Sequence, residues 1–135
     1  MNRKIIAVAS IIAIAAIVIS ITSDSALDES TISQTIFVDA VYEPKNKIVR
    51  ITYNDNSEMT NLIILEVLGM EKTFHKEFSQ SSLVETIEIN FEPKYGWSTT
   101  PVVFSINHDE FGKIELKTEI YEQGESKPRI IYSKI

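Results

Sequence analysis

The sequence predicts an all-β fold: an antiparallel β-sandwich of seven or eight strands, preceded by one N-terminal transmembrane or signal-anchor helix. Three observations predict it. Across residues 35–135, apolar-alternating segments recur at spacings of roughly 10–13 residues with Gly, Pro, Asn and Asp between them, the pattern of a sandwich. Most of that alternation is one-sided, whereas a parallel sheet buried on both faces gives continuous apolar strands. The chain also opens with an unbroken run of Ile, Ala, Val and Ser over residues 5–21, directly behind Arg3 and Lys4.

That run, from Ile5 to Ile21, is rich in β-branched residues, which are poor helix formers in water. A bilayer reverses the preference. With no water to satisfy peptide groups, a lone apolar segment must pair its own backbone as a helix. The run spans about 26 Å at roughly 1.5 Å per residue, against a hydrocarbon core of about 30 Å. Arg3, Lys4 and the amino terminus precede it, and Asp24, Asp28 and Glu29 follow. The positive-inside rule then puts the N-terminus in the cytoplasm and the rest outside. Two fates compete, a retained single-pass anchor and a cleaved signal peptide followed by secretion. The run exceeds the roughly 7–15 residues of a signal core, and Asp24-Ser25-Ala26 puts an acid where small residues are needed. Length therefore favours the anchor, embedded in membrane lipid through residues 5–21. Ala9 and Ala13, and Ala16 and Ser20, have small-xxx-small spacing, which arises by chance in so Ala-rich a segment.

Without the anchor and a short linker, about a hundred residues remain, enough for one core. The chain carries 13 basic and 19 acidic residues, a formal −6. Arg3 and Lys4 stay on the cytoplasmic side, so the outer part holds 11 against 19, or −8. Nucleic acids and anionic lipid surfaces need a basic footprint, and that charge argues against both. There is no Cys. No disulfide framework, thiolate metal site, lipoprotein linkage or cysteine nucleophile is available, and stability must come from packing.

Residues 22–34 are Ser-, Thr- and Asp-rich and read as a flexible stalk. Residues 36–42 form the first strand and end in the turn Glu43-Pro44-Lys45-Asn46. Residues 47–53 put Val49, Ile51 and Tyr53 on one face. Residues 62–68 are nearly continuous apolar, as in a central strand buried on both sides. Residues 73–78 are ambiguous: Phe74 and Phe78 share a strand face, yet their separation of four also suits a helix. Residues 85–91 alternate with Ile87, Ile89 and Phe91 inward, and residues 101–107 with Val102, Phe104 and Ile106 inward. Residues 113–121 do so most clearly, with Ile114, Leu116, Thr118 and Ile120. Residues 130–135 close the chain as a strand. At a sheet edge it would leave peptide groups open to a partner, with Arg129 and Lys134 discouraging such pairing.

In strand number and size, residues 36–135 resemble immunoglobulin-like or fibronectin type III-like modules. The Cys–Trp–Cys core of antibody domains is absent, so the resemblance carries over no binding residues.

Four residues in two loops are the candidate interaction site. In loop 92–100, Tyr95 and Trp97 can form an aromatic platform for a glycan or protein. The competing reading folds the lone Trp back to plug the open end of the sandwich, with Gly96 permitting the bend. A Trp buries on the order of 200 Å², which favours the plug. In loop 107–112, His108 and Asp109, with Glu110, are candidate cation ligands. Calcium wants six or more oxygens at alternate loop positions, however, and adjacent acids point apart. A polar hairpin fits better, with Gly112 at positive φ and Phe111 tucked beneath. His75 and His108 would have to meet, with a carboxylate, to hold zinc or copper, and His75 is expected to face solvent. Asn54-Asp55-Asn56-Ser57-Glu58 lacks the spacing and Gly of a calcium loop and reads as a turn. No Gly-x-Ser-x-Gly elbow or assembled triad is present, and alternation places most of the scattered Asp and Glu pairs on the solvent face of strands, which leaves paired-carboxylate catalysis without support.

The expectation is therefore a non-enzymatic, cofactor-free, membrane-anchored extracytoplasmic domain with a structural or protein-interaction role and a protein partner, such as an accessory subunit of an envelope or membrane assembly. The alternative is a small-ligand or divalent-cation-binding ectodomain using loops 92–100 and 107–112.

Overall fold

The chain crosses repeatedly between two sheets, because each strand buries only one face and needs a second layer to cover it. The structure, a computed structural model, describes residues 28–135; the anchor expected over residues 5–21 lies outside them. Helix α1 (Glu29–Thr35) runs directly into β1 (Ile36–Glu43), followed by β2 (Ile48–Asp55), β3 (Thr60–Val67), β4 (Phe74–Phe78) and β5 (Ser82–Glu88). A short 3₁₀ turn (Trp97–Thr99) precedes β6 (Pro101–His108), β7 (Gly112–Glu119), β8 (Tyr121–Glu122) and β9 (Ile131–Lys134). One sheet has the order β5-β2-β1-β8, the other β4-β3-β6-β7-β9. All pairings are antiparallel except β1 with β8. The arrangement is sandwich-like, with one core.

That core is the set of inward positions the alternation marks. Val38 and Ala40 from β1, Val49 and Ile51 from β2, and Ile63 and Leu65 from β3 are buried, as are Phe104, Ile106, Ile114 and Leu116 from β6 and β7. Among the described residues no helix is long and apolar enough to cross a membrane.

Several expectations change. The part of the presumed stalk from Glu29 onward is helical. Asp28 caps it, accepting from the Thr31 N–H at 3.1 Å and the Thr31 hydroxyl at 2.6 Å, while Glu29 suits the positive end of the dipole. Its lone large apolar residue, Ile32, is buried against the core. Strand β3 is buried on one face only: Ile63, Leu65 and Val67 point inward, while Leu62 and Ile64 stay partly exposed. Strand β5 starts at Ser82 and stops at Glu88, so Phe91 is not inward but 82% exposed. The ambiguous segment is an edge strand, β4, paired with β3.

The segment 113–121 is not one strand. Ile120 is buried as expected, but the chain leaves the second sheet there, and Tyr121 and Glu122 pair in parallel with Val41 and Tyr42 of the first. Strand β9 does lie at a sheet edge, beside β7.

Register defines two ends. Ile36, Asp55, Thr60 and His108 lie at the near end, where α1 enters. Tyr42, Val67, Pro101 and Glu119 lie at the far end. Seven strand steps of about 3.3 Å separate them by roughly 23 Å.

Candidate functional site

Two places concentrate chemistry, one at each end. The near end holds a buried polar cluster built on Asp55, the last residue of β2. The turn that follows brings four donors back onto its carboxylate. Oδ1 accepts from the Ser57 N–H at 2.9 Å and its hydroxyl at 2.6 Å. Oδ2 accepts from the Met59 N–H at 3.1 Å and the Thr60 hydroxyl at 2.7 Å. From across the sandwich, His108 Nε2 approaches Oδ2 to 3.0 Å, and neither side chain has exposed surface. Because the Thr60 proton goes to Asp55, the Tyr53 hydroxyl donates to Thr60 Oγ1, at 2.8 Å.

The His108 ring is oriented by what its other nitrogen does. Nδ1 accepts from the backbone N–H groups of Glu110 and Phe111, at 3.1 and 3.2 Å, so it carries no proton. The ring proton therefore sits on Nε2, facing Asp55. Phe111 stacks on the imidazole with centroids 4.5 Å apart. Burial pushes the Asp55 carboxyl up, but hydrogen bonds from Ser57 and Thr60, with His108 alongside, outweigh it and hold the group below the usual carboxylate range.

Serine, histidine and aspartate thus meet here, and the arrangement is the wrong one for nucleophilic catalysis. In a triad the acid holds one ring nitrogen while the other, unprotonated, faces the serine. Here Ser57 Oγ, at 3.2 Å, and Asp55 share the same nitrogen. That nitrogen carries the proton, and the serine proton is directed at Asp55. What this geometry does is join β2, the following turn and β6 through one carboxylate.

The far end is open and partly apolar. Trp97 folds back as a plug, its ring centroid 4.7 Å from that of Tyr42, and packs against the core half-buried. Gly96 has φ +91° at the bend. Tyr95 does not follow it inward; it is 78% exposed, with Lys94 Nζ 5.5 Å from its ring centre. On one side of Trp97, between the start of β4 and the end of β5, lies a groove of about 650 Å³ with Met70, Phe74, Ile87, Ile89 and Phe91 in its walls. On the other side is a hollow of about 440 Å³ lined by Glu92, Glu119, Glu122 and Glu125.

The four candidate residues are therefore divided. Tyr95 and Trp97 lie at the far end, His108 and Asp109 at the near end. A single ligand site using both loops is ruled out by that separation. His108 is sealed inside, and exposed Asp109 accepts from Asn61 Nδ2 at 2.6 Å. His75 is exposed beside Glu66. It is level with Glu66 on β3 while His108 is level with Thr60, so the two histidines do not meet. Among the described residues no group of three or more His, Asp or Glu side chains is placed to hold a metal ion.

Sequence reasoning read 54–58 as a turn; Asn54 and Asp55 instead complete β2, the turn begins at Asn56, and Asp55 points inward. One signal was available: Asp55 continues the inward period of Val49, Ile51 and Tyr53, and so points to the core. Comparison with known proteins adds no identification: no family model, curated protein or solved structure matches the chain.

Proposed function

We propose that the chain is a membrane-anchored extracytoplasmic β-sandwich domain with a protein-interaction or structural role, such as an accessory subunit of a membrane or envelope assembly, and that it is not an enzyme. One observation carries this reading. The polypeptide enters through α1 at the near end, while the exposed Phe91 and Tyr95 and the partly apolar groove lie at the far end. A tether formed by residues 5–21 therefore leaves the open end pointing away from the bilayer. The near end suits a support: its polar groups are spent on one another, and its Ser–His–Asp grouping has no free base.

The immunoglobulin-like or fibronectin type III-like character belongs to the same proposal. Strands β1, β2 and β5 share one sheet, and β4 lies beside β3, β6 and β7 on the other, much as an added C′ strand joins the C–F–G sheet of such modules.

Fractionation of cells expressing the full chain tests the location, with protease added to intact cells to test sidedness. The domain should pellet with membranes, resist high-salt washing and be digested from outside. Recovery in the soluble cytosolic fraction overturns the proposal.

A further inference from the structure

We infer that the far end is a docking surface for a basic polypeptide segment bearing apolar side chains. The inference rests on the interaction-domain reading and names the partner's chemistry. Two hollows share Trp97 as their common wall. The first is the groove, where Met70, Phe74 and Ile89 stand among charged residues and Phe91 projects 82% exposed. Such an aromatic has little to gain in water and much to gain from a partner that covers it. The second hollow has Glu92, Glu119, Glu122 and Glu125 along its walls, with no Lys, Arg or His among its lining residues. Glu92 lines both.

Charge complementarity selects the occupant. Glu71 and Glu88 add to those four carboxylates, against Lys72 and Lys94. Lys127, close in sequence, is turned elsewhere: its Nζ donates to the Val38 carbonyl at 2.7 Å and lies over the Phe37 ring. Six acids against two bases around an aromatic wall favour a segment that seats an apolar side chain in the groove and Lys or Arg in the hollow. An acidic peptide or an anionic lipid surface meets repulsion at the same place.

The reporter is built in, because Trp97 is the only tryptophan of the chain. The full-length protein in zwitterionic nanodiscs is titrated with a short peptide of alternating Lys and Leu, a Ser-for-Lys analogue and a Glu-for-Lys analogue, following Trp97 emission. The Lys peptide should give a saturable change, weakened about tenfold by Phe91→Ala, the scale of losing one hot-spot side chain. The paired substitution Glu122→Gln and Glu125→Gln should weaken it similarly. Salt of about 1 M, where screening acts within about 3 Å, should remove most of the response. The Ser analogue should bind more weakly and the Glu analogue not at all.

An unchanged signal with the Lys peptide overturns the inference, as does an equal response to the Glu peptide. So does a Phe91→Ala variant that binds like the parent; this side chain is exposed, so its loss leaves the fold intact. A signal that grows with protein concentration in the absence of peptide would assign the surface to a second copy, and also overturns it. Location is read separately by fractionation, so docking and anchoring can fail independently.

Discussion

Replacing Asp55 with Ala should be among the most damaging single changes in the domain. The substitution removes the acceptor of five donors: the N–H groups of Ser57 and Met59, the hydroxyls of Ser57 and Thr60, and the Nε2 of His108. The turn groups can reach water once the carboxylate is gone. Thr60 and His108 cannot, since only 8% and 2% of their surfaces are exposed. Each stranded group costs about 1–3 kcal/mol, so the pair costs roughly 2–6 kcal/mol. A total stability of about 5–15 kcal/mol is usual, so a loss of that size removes a large share of it.

Urea unfolding followed by Trp97 emission and circular dichroism measures this loss, with Asp109→Ala as the exposed control, expected within about 0.5 kcal/mol of the parent. Asp55→Asn should recover only part, because its amide turns two N–H groups toward existing donors. The acid limb supplies a second readout. The folded Asp55 is held below its ordinary value of 3.8. Its contribution is therefore fully present above about pH 4 and is lost as pH falls through the folded value. Asp55→Ala should flatten that limb. A loss below about 1 kcal/mol with an unchanged acid limb would refute the assignment of this cluster as the lock between β2 and β6.

Three further predictions follow from the structure. Gly69 has φ +78°, and a β-carbon there would collide with the Thr99 carbonyl oxygen, so Gly69→Ala should cost about 2 kcal/mol or more. Gly124→Ala, at φ +97° with open space around it, should cost clearly less, and equal losses in thermal melts would contradict the clash. The Thr100 hydroxyl is buried with no partner among the described residues, so Thr100→Val should stabilise by about 1 kcal/mol; a destabilised variant would reveal a bond to that oxygen. Burial and the hydrogen bond to Asp39 push the Tyr121 hydroxyl up to about 12, against about 10 when unfolded. Its contribution is full below about pH 10 and is lost as pH rises toward 12, so phenolate absorbance should lag in the folded protein, and a single titration near 10 with the fold intact would refute this.

Much of the fold was legible because burial on one face writes a period of two into the sequence. Val49, Ile51 and Tyr53, or Val102, Phe104 and Ile106, declare their strands without help from any neighbour. The misreadings occur where tertiary context outweighs that period. Phe91 continues the alternation of Ile87 and Ile89, but β5 has run past its partner by then, since Glu88 pairs with Ile48, the first residue of β2. Nothing remains to cover Phe91. Ile120 keeps its inward place while its neighbours change sheets, a crossing that leaves the pattern unbroken. Helix α1 was hidden by its Ser and Thr content. Those side chains turn to the helix itself, as when Thr35 Oγ1 donates to the Thr31 carbonyl at 2.8 Å, and a single Ile supplies the anchor.

The same logic explains why the polar cluster sits where it does. Asp55, Thr60 and His108 all occupy inward positions at the near end, where an apolar series would ordinarily continue. An apolar side chain at Asp55 would pack, but it could not gather the turn, because only an acceptor with two oxygens can hold the N–H groups of Ser57 and Met59 together with the Thr60 and His108 donors. The turn it shapes is then fastened to the helix, with the Asn56 N–H donating to the Thr35 carbonyl at 3.0 Å. The entry of the chain, the end of β2 and the end of β6 are thereby held by one carboxylate and its neighbours. At the far end the corresponding work falls to Trp97 packed at a tilt against Tyr42, a contact that holds one ring and leaves the loop around it, with Phe91 and Tyr95, facing outward. Rigidity at the end where the polypeptide enters and exposed aromatics at the other are two results of one strand register.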